Sequence, residues 1–341
     1  LPGERGTAII TVLLSAWLSV LGIVAPVAAA DPTDRPSLIV VVGAPGTPEY
    51  ESEFRRWADL WEEAAGRGSV GSLRIGESDE TGVTDRERLR AALAERTAGR
   101  EPLWVVLIGH GTFDGREAKF NLRGPDVSAA ELAGWVAPVG RPVAVVNCAS
   151  ASGPFLNRLS GKDRVVVTAA RSGDELNFAR FGRYLAEAVA DPSADLDKDD
   201  QVSLLEAYLT ASARVEEFYR AEARLATEHA LLDDNGDGLG TPADWFRGVR
   251  ATKLAKDGAA PDGVRAHQWH LVPSDRERRL PPEVRRRRDE LELAIAELRE
   301  RKATLPEDDY YARLLPLTVE LARLYRDLPD GPPDPPRSAG E

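Results

Sequence analysis

Residues 103–108 read Leu-Trp-Val-Val-Leu-Ile, apolar at every position, so no polar face is set aside for water. A strand of this kind needs cover on both sides, the condition met in a parallel sheet sandwiched between helices. Runs at 38–42, 142–146 and 164–168 repeat the pattern, each rich in valine, and a weaker run spans 73–75. Between them lie segments of helical period. Phe54, Trp57, Leu60 and Trp61 mark a helix within 50–65, residues 84–97 predict a charged helix, and 174–190 predict an amphipathic one. Ser128-Ala129-Ala130-Glu131 is a capping box, which opens a further helix. The alternation over 38–250 predicts an α/β fold: a three-layer α/β/α domain on an open, mostly parallel sheet.

Beyond a linker at 251–279 the period changes. Val284, Leu291, Leu298 and Leu305 recur every seven residues, as do Leu314, Leu321 and Leu328, with Pro306 between the two sets. This predicts a C-terminal helical hairpin over 280–328, a surface for packing, self-association or partner contact. The tail at 329–341 is proline-rich and reads as disordered.

Residues 7–30 carry no charge and end Ala28-Ala29-Ala30, the pattern of a signal peptide over 1–30 followed by a linker at 31–37. Cleavage would leave the chain secreted, periplasmic or in the cell envelope. An uncleaved segment of this length would anchor it in a membrane. The formal charge of −12 repels phosphate backbones and argues against a nucleic-acid partner. With one cysteine in 341 residues an internal disulfide is impossible. Cys148 is therefore an apolar filler, an intermolecular link or a working thiol.

Two predicted strands end in reactive side chains, Ile108-Gly109-His110-Gly111 and Val146-Asn147-Cys148. Ligands of open parallel sheets bind beyond the carboxyl ends of the strands, so neighbouring strands would bring His110 and Cys148 to one crevice. An imidazole beside a thiol favours thiolate and can later protonate a leaving amine. The N–H groups of Gly111 and Cys148 are candidates to hold a developing oxyanion.

An apolar strand followed by His-Gly, and a second followed by Cys thirty-eight residues after the histidine, resembles the caspase/legumain-type (C13-like) cysteine peptidases. The run 165–172 looks like the strand and polar turn that follow the cysteine strand in legumain-like enzymes. The resemblance covers about 38–190 and implies a caspase-like fold, with His110 as general acid/base, Cys148 as nucleophile and Gly111 as oxyanion donor. Ala149 and Gly109 stand where legumains carry acidic residues. Arg171, Ser172 and Asp174 are candidates for a specificity loop or a plain surface turn.

Asp195-x-Asp197-x-Asp199-Asp200-Gln201-x-Ser203-x-x-Glu206 matches an EF-hand calcium loop, with Asp200 in place of the usual glycine. Asp233-x-Asn235-x-Asp237-Gly238 repeats the opening, with Asp244 at the twelfth place. A hydrated acidic turn is the competing reading of each. A continuous helix over 204–231 would hold the loops roughly 40 Å apart and prevent their pairing. His229 then falls on that helix without a partner, and His267 and His270 read as surface residues.

The residues predict an exported cysteine endopeptidase that cleaves peptide or protein substrates through a thioester on Cys148, with structural calcium and no organic cofactor. The alternative is a catalytically inactive fold of the same kind, serving as a calcium-stabilised binding or cell-envelope scaffold protein. No G-x-S-x-G elbow supports an α/β-hydrolase.

Overall fold

The computed structural model describes residues 35–77, 82–253, 255 and 260–326. The expected signal peptide and C-terminal tail lie outside the described residues. In chain order, β1 (Ser37–Val42), α1 (Pro48–Arg67), β2 (Gly71–Ile75), α2 (Asp85–Ala94) and β3 (Leu103–Ile108) form the first half of the sheet and its covering helices. A small antiparallel sheet follows, made of β4 (Gly111–Phe113), β5 (Ala118–Phe120) and β6 (Val127–Ser128). Next come α3 (Ala129–Val136), β7 (Val143–Asn147), α4 (Gly153–Leu159), β8 (Arg164–Thr168), α5 (Phe181–Ala188) and α6 (Leu204–Ala221). The chain then returns through β9 (Leu231–Asp233), β10 (Thr241–Pro242) and a hairpin of β11 (Phe246–Arg247) and β12 (Arg250–Ala251). It ends in α7 (Val264–Gln268), α8 (Asp275–Arg279), α9 (Pro282–Glu300) and α10 (Glu307–Arg326).

The main sheet runs β10-β9-β8-β7-β3-β1-β2. Its five members from β2 to β8 are parallel, and β9 and β10 are antiparallel additions at one edge. Alternate side chains of the parallel strands enter separate cores. Val40, Val106, Val146 and Val167 meet Phe54, Trp57 and Trp61 of α1 together with α5 and α6. Val41, Val105, Val145 and Val166 meet α2, α3 and α4. All six residues of β3 are buried, as a doubly covered strand requires. Burial of each large apolar side chain stabilises the layers by roughly 1.5–3 kcal/mol. The fold is therefore the predicted three-layer α/β/α arrangement, and α9 and α10, joined through a 3-10 turn, form the C-terminal hairpin.

Local signals place the helix starts. Ser128 accepts from the N–H of Glu131 while Glu131 accepts from Ser128, and the Thr84/Glu87 pair does the same at α2. Two helices are shorter than their pattern suggests. The expected helix at 174–190 begins only at Phe181, because residues 171–175 are held in a loop by the Glu175 carboxylate. The expected helix over 204–231 ends at Ala221, and Ala223 takes a positive φ of 51° as the chain turns back toward the sheet. Tyr208, one turn into α6, then donates to the carbonyl of Ala230 or Thr241, each 3.0 Å away. Residues expected to form a linker contribute to the first core through Ala266, Trp269 and Leu271. No described helix is long and apolar enough to cross a membrane.

Candidate functional site

β3 and β7 are adjacent and parallel, so His110 and Cys148 leave the same carboxyl edge of the sheet. Their side chains have different surroundings. Cys148 is 1% exposed and belongs to the first core. A Cβ on Gly182 of α5 would stand 2.5 Å from Cys148 Cβ and 3.1 Å from both Cys148 Sγ and a ring carbon of Trp57. The glycine is therefore what lets α5 lie directly over the thiol. Burial pushes the thiol up to about 12, so it stays protonated at neutral pH.

His110 sits in an aromatic surround. Tyr50, Phe54 and Phe178 have ring centroids 4.7, 5.2 and 6.0 Å from its own. Its Nε2 is 3.2 Å from the carbonyl of Pro45, which assigns the proton to that nitrogen. Desolvation lowers its pKa, partly opposed by that hydrogen bond, so the ring is neutral near pH 7. A neutral thiol and a neutral imidazole with no hydrogen bond between them do not form an ion-pair nucleophile. The two oxyanion candidates are also engaged. The N–H of Cys148 donates to Leu107 at 2.9 Å, and the N–H of Gly111 meets Ser150 Oγ at 3.4 Å. Gly111 is required by this contact, since a Cβ there would lie 2.1 Å from the Ser150 carbonyl oxygen.

The turn after β8 is organised by a carboxylate that sequence reasoning missed. Glu175 accepts from the N–H of Arg171 at 3.0 Å and of His229 at 3.1 Å. It also holds Arg171 Nε at 3.1 Å and His229 Nδ1 at 2.6 Å. His229 thus lies not on α6 but in the extended segment entering β9, at the same sheet edge as His110. The helical character of 204–231, with no glycine or proline to mark its end, hid it. Of the specificity-loop candidates, Arg171 is tied to Glu175, and Ser172 Oγ accepts from the N–H of Asp174 at 3.3 Å.

The first acidic loop has the backbone its pattern implies. Asp195 accepts from the N–H groups of Lys198, Asp199 and Asp200, while Lys198 and Asp200 take φ of 65° and 70°. Asp200 therefore fills the left-handed place of the missing glycine. Ser203 caps α6 and Glu206 completes the capping box, its carboxylate also accepting from Leu196 and Asp197. Carboxylate oxygens of Asp195, Asp197 and Asp199 lie within 4.8 Å of one another, and so do ligand atoms of Asp197, Glu206 and His267. These two clusters have the donors to chelate a divalent ion, and the three aspartates offer the hard oxygens that calcium prefers. His267 Nε2 stands 3.0 Å from Asp197 Oδ2, so this histidine belongs to the loop and not to a bare surface. Gln201 directs its side-chain oxygen to the N–H of Ser274 at 3.0 Å, leaving its carbonyl as the donor to an ion. His270 is lowered to about 4 by burial and pairs through its backbone with Ser203.

In the second loop Asp233 accepts from Gly236 and Gly238, Asn235 from Asp237, and Asp237 from Leu239. The Asp244 carboxylate pairs with Lys253 at 2.6 Å, and no convergent cluster among the described residues includes Asp233, Asp237 or Asp244. Buried carboxylates stitch this loop to α7. Asp262 accepts from the N–H groups of Asp234 and Asn235, and Asp234 accepts from those of Gly263 and Ala266. Since α7 touches the first loop through His267, the two loops are bridged by this five-residue helix. The expected 40 Å separation fails because α6 stops early and the chain doubles back.

No family model matches the chain, and no curated protein matches it. Among solved structures the three-layer fold is similar to the Drosophila initiator caspase Dronc, at 14% identity and TM-score 0.39, over 60% of this chain and 82% of that one. It is also similar to Chaetomium thermophilum Raptor, at 12% identity and TM-score 0.32, over 85% of this chain but only 25% of Raptor. Both likenesses are distant and too loose to carry a function.

Proposed function

We propose that the chain works as a non-catalytic binding or scaffold protein on a caspase-like α/β/α framework, with calcium held at the first acidic loop. One observation carries this reading: Cys148 is 1% exposed beneath Gly182 and Trp57. A thiol so placed cannot meet a carbonyl carbon unless α5 moves. The neutral His110 and the engaged N–H groups of Gly111 and Cys148 support it. Asp195, Asp197, Asp199, Glu206 and the carbonyl of Gln201 would hold the cation, whose charge would offset the mutual repulsion of the loop.

The second reading is a cysteine endopeptidase acting through a thioester on Cys148. The observation that favours it is the placement of His110 and Cys148 at the carboxyl ends of neighbouring parallel strands. In that reading α5 must shift before the thiol can react.

The discriminating experiment treats the protein with acyloxymethyl ketone peptides bearing Asn, Asp, Arg or Lys at the cleavage position, with and without calcium. His110→Ala and Cys148→Ala serve as controls. The binding reading expects no labelling under any condition. Labelling of Cys148 that disappears in both variants would establish the peptidase instead.

A further inference from the structure

A cavity of about 810 Å³ opens beside α6, outside the surroundings of His110 and Cys148. This is within the range of small-molecule sites, roughly 300–1,000 Å³. Its walls are largely apolar, with Phe181, Leu209, Val215, Ala230 and Phe246 among them.

Two polar groups on this wall have hydrogen-bonding capacity left over. His229 gives its Nδ1 proton to Glu175, which fixes the tautomer and leaves the Nε2 lone pair as an acceptor. Glu217 makes no ion pair with any described residue, whereas Arg214 on the same wall is neutralised by Asp191 at 2.6 Å.

The charge balance selects the ligand. Four carboxylates line the cavity, those of Glu216, Glu217, Glu228 and Asp244, against the single guanidinium of Arg214. Glu228 is satisfied by the N–H groups of Arg180 and Phe181, Asp244 by Lys253, and Glu216 is paired with Arg220 at 3.9 Å, so Glu217 remains to meet an incoming cation. We propose that this cavity is a binding site for a small amphiphile with a protonated amine head and an apolar body. Its N–H groups are received by Glu217 and His229 Nε2, and its apolar body lies against Leu209, Val215 and Phe246. This inference does not draw on the reactivity of Cys148 and stands separately from the function proposed above.

The test is calorimetric titration of the full chain with decylammonium, decanol and decanoate, each as monomer, at pH 7.5. The expected result is saturable one-to-one binding of decylammonium, at least tenfold tighter than decanoate. Glu217→Gln should lower the affinity for decylammonium about fivefold and leave decanol unchanged. Leu209→Trp should fill the cavity and abolish binding of both. Should Leu209→Trp lose its fold by circular dichroism, Glu217→Gln alone reads the preference for the amine without enlarging a side chain. Equal affinity for decanoate, absence of saturable binding, or a preference for the amine that survives Glu217→Gln would overturn the proposal.

Discussion

The crevice of His110 and Cys148 and the loop of Asp195 to Glu206 both match a functional pattern in sequence, yet the fold treats them in opposite ways. In the crevice the thiol is buried, the imidazole is half-buried, and both are neutral and turned to different partners: Cys148 to Gly182 and Trp57, His110 to Pro45 and its aromatic neighbours. In the loop the oxygens are charged and brought within 4.8 Å of one another. A catalytic pattern fixes where side chains leave the sheet but not whether a later helix covers them. A loop pattern of alternating ligands also fixes the turn that gathers them, because the same carboxylates that would bind an ion cap the backbone N–H groups.

The largest expected effect breaks the crevice. Gly182→Val places new carbon inside the van der Waals surface of Cys148, and urea denaturation should show a loss of about 3 kcal/mol. A site with room for a substrate beside the thiol would tolerate the change.

The second prediction concerns pH. A thiol raised from an ordinary value of about 8.5 to about 12 remains protonated in the fold while the unfolded chain ionises. Its stabilisation is complete below the unfolded value and is lost as pH rises toward the folded one. Between pH 8.5 and 10 the protein should lose about 2 kcal/mol more than Cys148→Ala does. Parallel stability curves for the two would remove the buried-thiol account.

Side-chain chemistry sharpens the same point. Cys148→Ser puts a hydroxyl into the apolar core and should cost about 2 kcal/mol, against about 1 kcal/mol for Cys148→Ala. An exposed nucleophile would give nearly equal, small losses for both.

The smallest effect belongs to the loop. Calcium at ten times its dissociation constant should stabilise the protein by about 1.4 kcal/mol, read as a rise in melting temperature. Asp197→Ala should remove the rise, since Asp197 belongs to both convergent clusters. Asp244→Ala should leave it intact, because Asp244 pairs with Lys253. A loss of the calcium response in Asp244→Ala would place the ion at the second loop instead.

The layers were legible in the sequence because β1, β3, β7 and β8 are continuous apolar runs, and only a doubly covered strand has that form. The capping box at Ser128 was equally legible, being local hydrogen-bond chemistry. Helix ends set by distant partners were not. Nothing near Asp174 announces that Glu175 will bind His229 across fifty-four residues, and that contact delays α5 and helps return the chain to β9. The small sheet of β4, β5 and β6 was also missed, because strands of two or three residues carry too little alternation to register. For the site, the residues that leave β3 and β7 were readable, but the cover over Cys148 depends on Gly182, a residue with no side chain to signal it.

The most direct measurement of the central claim is the rate of iodoacetamide modification of Cys148 in the native protein between pH 6 and 9, followed by intact mass. The account predicts negligible modification over hours at every pH, with complete reaction once urea unfolds the chain. Rapid native modification with a midpoint near pH 6 to 7, abolished by His110→Ala, would show a poised dyad and contradict it.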